Sequence, residues 1–238
     1  MELILAHLYP KQMNIYGDQG NITAFKYRCH QRQINLIVKS ININSPLPSG
    51  SFDLLFAGGG QDQQQALISQ DLLSRKKILT QALNHHIPML TICGSYQLFG
   101  RFFKPFKGPK LKGLGLFDAY TLASKQRKIG NIIIDSDFGP LVGFENHSGN
   151  TFLSGSTKAL GKVIKGFGNN DQDKTEGAVK NNLIGCYLHG SLLPKNPILC
   201  DHLIKTALEN KYKSVKLKPL SDKLETQARQ QAYPLVKY

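Results

Sequence analysis

Two residues in this chain are placed for nucleophilic catalysis, a cysteine at 93 and a histidine at 189. The apolar run Pro88 to Ile92 stops on Cys93, and the small and polar residues Gly94, Ser95, Tyr96 and Gln97 then open a helical pattern. A sharp strand-to-helix turn of this kind lifts one side chain clear of a sheet. A thiol there sits near the positive end of the following helix, which favours the thiolate. Such a nucleophile needs a base within hydrogen-bond reach and N–H donors for the oxyanion that it generates.

Among the seven histidines, His189 best suits the base. It ends the apolar run Leu183 to Leu188 and precedes Gly190 and Ser191, which puts its ring at a strand tip. His7 and His202 lie in apolar elements and read as structural, and His30, His85 and His86 read as surface residues. His147, on the polar stretch Phe144 to Gly149, is the one rival. The amide of Gly94 is a natural first oxyanion donor. A second can come from Gly58 to Gly60, in particular Gly59 or Gly60, where absent side chains let a backbone N–H approach a substrate.

Stepping outward, strands and helices alternate through the first hundred residues. Leu3–Leu8, Asn35–Lys39, Phe52–Ala57 and Pro88–Ile92 read as strands. Residues 21–32 and 62–84 read as helices. This pattern predicts an α/β fold, a mostly parallel twisted sheet with helices on both faces. Ligands of such sheets bind beyond the carboxyl ends of the strands, so Gly58–Gly60 and Cys93 should face one crevice. After residue 105 short apolar runs at Gly113–Tyr120, Asn131–Ile134, Leu141–Phe144 and Val163–Ile164 predict an added antiparallel region, with a basic loop at Lys125–Lys128. Pro197 opens a helix to residue 209, and Ser221–Gln231 predicts a short one beyond it.

The chain has 238 residues and a net charge of +14. Residues 101–128 and 211–238 together hold +12 of that charge. Such patches attract an acidic partner, a phosphorylated substrate or an anionic membrane, or they serve solubility alone. No nucleic-acid-binding motif accompanies them, so no nucleic acid is expected. Cys29, Cys93, Cys186 and Cys200 are scattered without a C-x-x-C pair, which argues against zinc and disulfides and for a reducing cytoplasm. No apolar run reaches membrane-helix length, and no basic n-region precedes the first strand.

Taken in order, Gly58-Gly59-Gly60-Gln61-Asp62, Thr91-Ile92-Cys93-Gly94-Ser95-Tyr96-Gln97 and Gly185-Cys186-Tyr187-Leu188-His189-Gly190 resemble the class I (triad-type) glutamine amidotransferases. The match is nearest the CobB/CobQ-like branch. Within it, the short stand-alone form resembles the glutaminase subunits of lipid II isoglutaminyl synthases, which Asn14–Asn21, Arg127–Asn131 and Gly143–His147 also fit. The resemblance covers about residues 3 to 205. It implies a flavodoxin-like fold, with an amidotransferase domain over 1–210 and a basic extension over 211–238.

The same resemblance implies that Cys93 attacks the side-chain amide of L-glutamine, that His189 moves the proton, and that Gly94 with Gly59 or Gly60 holds the oxyanion. Gln97 would fix the amino-acid end of glutamine. Arg127 would suit its α-carboxylate, although it reads equally well as one more member of a solvated basic loop. The chain has no P-loop motif and no metal or cofactor of its own, so ATP and magnesium would belong to a partner. By resemblance that partner is MurT, a Mur-ligase-like subunit that amidates the D-glutamate of lipid II in peptidoglycan synthesis. It, or its substrate, would bring the chain to the inner face of the membrane.

The chain departs from the general Gly-x-Cys-x-Gly elbow at Thr91 and Ser95, and it has Ser191 where the larger family often carries the glutamate that orients the histidine. A Cys–His dyad is therefore expected, with the group that orients His189 left open. Two other readings remain. One is a glutaminase for a corrinoid or another acceptor, and the other is a binding or scaffold protein with an inert Cys93.

Overall fold

The computed structural model describes residues 1–48 and 50–232. The first half alternates as β1 (Glu2–Leu8), α1 (Gln19–His30), β2 (Asn35–Ile41), β3 (Leu54–Ala57), α2 (Asp62–Ser74), α3 (Lys76–Asn84), β4 (Met89–Ile92) and α4 (Gly94–Phe99). The strands β5 (Phe102–Lys104), β6 (Leu111–Lys112), β7 (Ala119–Ser136), β8 (Leu141–Leu153), β9 (Gly161–Lys165), β10 (Thr175–Glu176), β11 (Ala178–Lys180) and β12 (Leu183–Cys186) follow. The helices α5 (Leu192–Lys195), α6 (Pro197–Tyr212) and α7 (Lys223–Ala232) end the described chain. None of these helices is long and apolar enough to cross a membrane.

The core sheet runs β11-β12-β4-β3-β1-β2, parallel except for the β11 edge. Every residue of β3, β4 and β12 is buried, as expected of inner parallel strands covered on both faces. The predicted α/β architecture is therefore the one observed. The added antiparallel region forms a second sheet, β10-β9-β7-β5-β6, with β8 pairing along β7.

Four expectations change in detail. The helix expected over 62–84 is broken at Arg75, whose buried guanidinium bonds Asp71 and the Asn42 carbonyl. That anchor holds the junction of α2 and α3 against the loop after β2. Gly113–Tyr120 is not a strand. Its end and Asn131–Ile134 belong instead to the single 18-residue β7. Lys125–Lys128 is not a loop, because it forms a bulge in β7 where the register against β8 shifts between Ala123 and Lys128. The extra residues kink the strand and re-aim its side chains. Finally, the last core strand stops at Cys186, and His189 is held by an isolated bridge to Phe144 of β8.

The basic C-terminal stretch, as far as residue 232, folds back onto the domain. Arg28 of α1 is buried and forks onto Asp201 of α6, and it also reaches Asp222 at 2.7 Å. Arg32 doubles the grip on Asp201. The last six residues of the predicted extension lie outside the described residues. Because charge-assisted bonds to a buried guanidinium hold α7, Arg28→Met is expected to cost about 2 kcal/mol in urea unfolding. It should also speed proteolysis between residues 213 and 222.

Candidate active site

Cys93 sits at the end of β4 with φ +48° and ψ −105°, a conformation that L residues seldom adopt. Its neighbours hold this turn in place. The Cys93 N–H donates to the Cys186 carbonyl at 2.8 Å, and Gln97 N–H donates back to the Cys93 carbonyl at 2.9 Å. The two residues that replace glycines in the elbow are both put to use. Thr91 hydroxyl donates to the Ile184 carbonyl, and Ser95 hydroxyl donates at 2.6 Å to the Gly58 carbonyl. Ser95 thereby ties the elbow to the glycine loop after β3. Gly94 cannot carry a side chain, since a Cβ there would lie 2.8 Å from the Gly60 carbonyl oxygen.

The following helix, α4, has only six residues, so its dipole is a small source of support for a thiolate. The stronger source is His189. This ring is fully buried, and its Nδ1 faces Asp18 Oδ1 at 3.4 Å. Burial opposes the charged ring, but the Cys93 thiolate and the Asp18 carboxylate outweigh it and push the imidazolium up to about 10. Nε2 makes no conventional hydrogen bond among the described residues, which leaves it to Cys93. The three groups therefore stand in line, with His189 between Cys93 and Asp18.

Asp18 is the residue that sequence reasoning missed. It stands at the N-cap of α1, where an aspartate commonly caps a helix, yet its side chain makes no cap bond. Its Oδ2 instead accepts the Gly59 N–H at 2.5 Å. Ser191, in the position where the larger family often has glutamate, donates its hydroxyl to the Gly17 carbonyl and so clamps the loop that carries Asp18. The expected dyad is thus completed from the first βα loop. The available signal was an aspartate among glycines just after β1, at the carboxyl edge where ligands bind. Asparagine and aspartate are commoner there as caps, and that reading prevailed.

This geometry also divides the two oxyanion candidates. The Gly59 amide is committed to Asp18, while Gly60 lines the cleft beside Cys93. Gly59 has a steric duty instead, because a Cβ there would meet His189 Cε1 at 2.6 Å. The Gly94 N–H opens α4 and so has no partner within its own helix.

A cleft of about 390 Å³, within the range of small-molecule sites, adjoins Cys93. Arg127 stands at its rim, where Nε donates to Asn146 Oδ1 at 2.6 Å and Nη2 to the Tyr16 hydroxyl at 3.0 Å. The β7 bulge thus delivers Arg127 to the pocket rather than to a solvated loop. Asp62, in the first turn of α2, faces the same cleft, and burial raises its pKa while Arg127 lowers it. A cation and a carboxylate across one cleft suit a zwitterion, and sequence reasoning had not singled out Asp62. Gln97 lies in the cleft wall, but its amide is taken by Gln65 at 2.8 Å and the Tyr187 hydroxyl at 3.0 Å. Its visible part is to brace the wall. His147 is not on a polar loop. It is buried in β8, stacked at 3.6 Å on Tyr187, and burial lowers its pKa.

A buried Cys–His–Asp line, a clamped elbow and backbone N–H groups at a sheet's carboxyl edge make an arrangement that can carry acyl transfer through a cysteine, on the fold of the class I glutamine amidotransferases. Solved structures share this fold. PurLQS from Thermotoga maritima covers 90% of this chain at a TM-score of 0.61 and 13% identity. The glutaminase domain of Trypanosoma brucei CTPS covers 91% at 0.54 and 10% identity. The chain belongs to the glutamine amidotransferases of the CobB/CobQ-like type, whose family model matches residues 4–197. It is 42% identical over 230 residues to the Staphylococcus aureus lipid II isoglutaminyl synthase (glutamine-hydrolyzing) subunit GatD, covering 96% of this chain and 94% of that one. It is 39% identical to the Streptococcus pneumoniae subunit of the same name, covering 89% and 82%. A probable cobyric acid synthase of Methanothermobacter thermautotrophicus is 35% identical, over 45% of this chain and 24% of its own.

Asp18→Asn keeps the shape but removes the charge behind His189. It is expected to lower kcat by about 10²- to 10⁴-fold with little change in KM. In Cys93→Ala the larger raising charge is gone, so His189 should titrate lower by NMR than in the wild type. His189 also links stability to pH. Its folded value near 10 exceeds the ordinary 6.5, so its stabilising contribution is whole below about pH 6.5 and is lost as pH rises through about 10. Stability profiles of wild type and Cys93→Ala should diverge across that window.

Proposed function

We propose that this chain is the glutamine-hydrolysing subunit of a lipid II isoglutaminyl synthase. The observation that carries the reading is the Cys93–His189–Asp18 line beside a cleft with Arg127 and Asp62 on its rim. Identity of 42% to a GatD subunit over nearly the whole of both chains supports the choice of acceptor.

In this reading Arg127 takes the α-carboxylate of L-glutamine and Asp62 its α-ammonium group, so the side-chain amide points at Cys93. The thiolate attacks the amide carbon, and the Gly94 and Gly60 N–H groups bind the oxyanion. The His189 imidazolium gives its proton to the departing nitrogen, ammonia leaves, and a γ-glutamyl thioester remains on Cys93. Neutral His189 then takes a proton from water as the water attacks the thioester. Glutamate departs and the ion pair is restored. Asp18 holds the ring in the tautomer that this exchange requires.

The ammonia passes to a Mur-ligase-like subunit, MurT, which holds ATP and magnesium and amidates the D-glutamate of lipid II. The chain works in the cytoplasm, on the inner face of the membrane where that acceptor is presented. We assign residues 1–210 to the amidotransferase unit, and to the basic residues from 211 onward, which as far as residue 232 pack back on that unit, a role in facing the partner.

The direct test is ammonia release from glutamine by wild type and Cys93→Ala, each with and without the ligase subunit. Release should be low for the wild type alone, rise with the partner, and vanish in Cys93→Ala. Partner-independent release that survives Cys93→Ala overturns the mechanism. Release that never responds to a Mur-ligase-like subunit overturns the proposed assembly. Separately, Arg127→Ala and Asp62→Asn should each raise the KM for glutamine by about 10- to 100-fold, with kcat changed far less.

A further inference from the structure

The outward face of the second sheet carries a surface that the glutaminase reaction does not use. Strand register sets Lys112, Phe102, Tyr120 and Phe152 side by side across β6, β5, β7 and β8. Phe102 and Tyr120 stack with centroids 5.3 Å apart, and Tyr120 stacks on Phe152 at the same distance. Lys110 Nζ lies 4.9 Å from the Phe102 ring centre. One step along the strands, Lys104 stands beside Leu122, which is 39% exposed. The loop joining β5 to β6 then presents Phe106, 50% exposed, between Pro105 and Lys107, with Lys125 of the β7 bulge 5.7 Å from its ring centre.

Lysine and arginine dominate the charge of residues 101–128. Asp118 is the one carboxylate of residues 101–128, and it is occupied by Lys180 at 3.1 Å, Ser156 at 3.0 Å and Arg101 at 3.4 Å. The neighbouring residue on the other face of β5, Phe103, is buried and lines the glutamine cleft. One short strand therefore serves the active site on one side and this basic, aromatic face on the other.

We propose that this face is a docking surface for an anionic phospholipid membrane, with Phe106 and Leu122 entering the headgroup layer and Lys104, Lys107, Lys110 and Lys125 pairing with lipid phosphates. Three features favour lipid. An exposed phenylalanine on a proline-braced loop suits the interfacial zone, and lysine stems lie along apolar surface while their charges stay in water. The surface potential of an anionic leaflet attracts each lysine near it. The cores of protein–protein interfaces are instead depleted of lysine. Single-stranded nucleic acid would need free ring faces for its bases, and here Phe102, Tyr120 and Phe152 stack on one another, with Lys110 over Phe102. The docking does not depend on which acceptor receives ammonia.

The test is co-sedimentation of the full chain with vesicles of phosphatidylcholine alone and of phosphatidylcholine mixed with phosphatidylglycerol. Wild type should bind the anionic vesicles and not the neutral ones, and added salt should release it. Reversing Lys104, Lys107 and Lys110 to glutamate together should weaken binding about a hundredfold. Phe106→Ser alone should weaken it about tenfold. Reversing Lys213, Lys216 and Lys218 changes net charge equally at the other basic segment and should have a far smaller effect. Thermal melts of each variant report that it is folded. The proposal is overturned if wild type ignores anionic vesicles, if Phe106→Ser binds like wild type, or if the control reversal weakens binding as much as the hairpin reversal. It is equally overturned if an acidic polypeptide or a single-stranded oligonucleotide binds this face while vesicles do not.

Discussion

The structure depends on holding the buried Asp18 carboxyl group behind His189. A buried polar group is costly unless it is hydrogen-bonded. Asp18 accepts the Gly59 N–H on one oxygen and faces the His189 ring with the other. That single requirement explains several neighbours. Gly59 must be glycine because His189 Cε1 occupies the space of a Cβ. Ser191 adopts a left-handed conformation and bonds Gly17, so the loop cannot drift. Ser95 in turn binds Gly58, which couples the glycine loop that holds Asp18 to the Cys93 elbow. Cys93, His189 and the glycine loop are set by one short network rather than one by one.

The second sheet contributes in a different way. Its long β7 strand would point Arg127 wherever a regular pleat dictated, and the bulge between Ala123 and Lys128 breaks that rule. Arg127 can then reach Tyr16, a residue of the loop that also carries Asp18. Tyr16 meanwhile packs its ring edge-on to His189 at 5.0 Å. The Arg127 guanidinium and the His189 ring are therefore joined through one tyrosine, although one lies in a long strand and the other beyond the end of β12.

The sequence was most legible where its physics is local. Strands β1 to β4 announced themselves as apolar runs, and Cys93 stood out because an elbow has a sharp local signature. His189 was legible as the polar end of a buried run, and Gly94 as the amide that must follow a nucleophile. Asp18 was not, because it acts 171 residues away from His189 in sequence while its neighbours spell a helix cap. Asp62 was hidden in the same manner, as an acidic residue in a first helical turn. The β7 bulge escaped because four consecutive charged or polar residues, from Lys125 to Lys128, mimic a loop when strand pairing is unknown. Long-range pairing was the missing quantity in every one of these cases.

Burying three ionisable groups together works against stability, and the surroundings show how the fold accommodates it. Burial opposes the charged His189 ring, and Cys93 on one side and Asp18 on the other more than offset that penalty. The line sits at the rim of β3, β4 and β12, the strands buried along their whole length, where the apolar core is most continuous. Strain at Cys93, with its positive φ, is held by backbone bonds to Cys186 and Gln97, with the Thr91 and Ser95 hydroxyls anchoring the residues on either side. A substitution in this rim therefore acts on function before it acts on folding, since the core strands stay paired while the charge line loses its spacing.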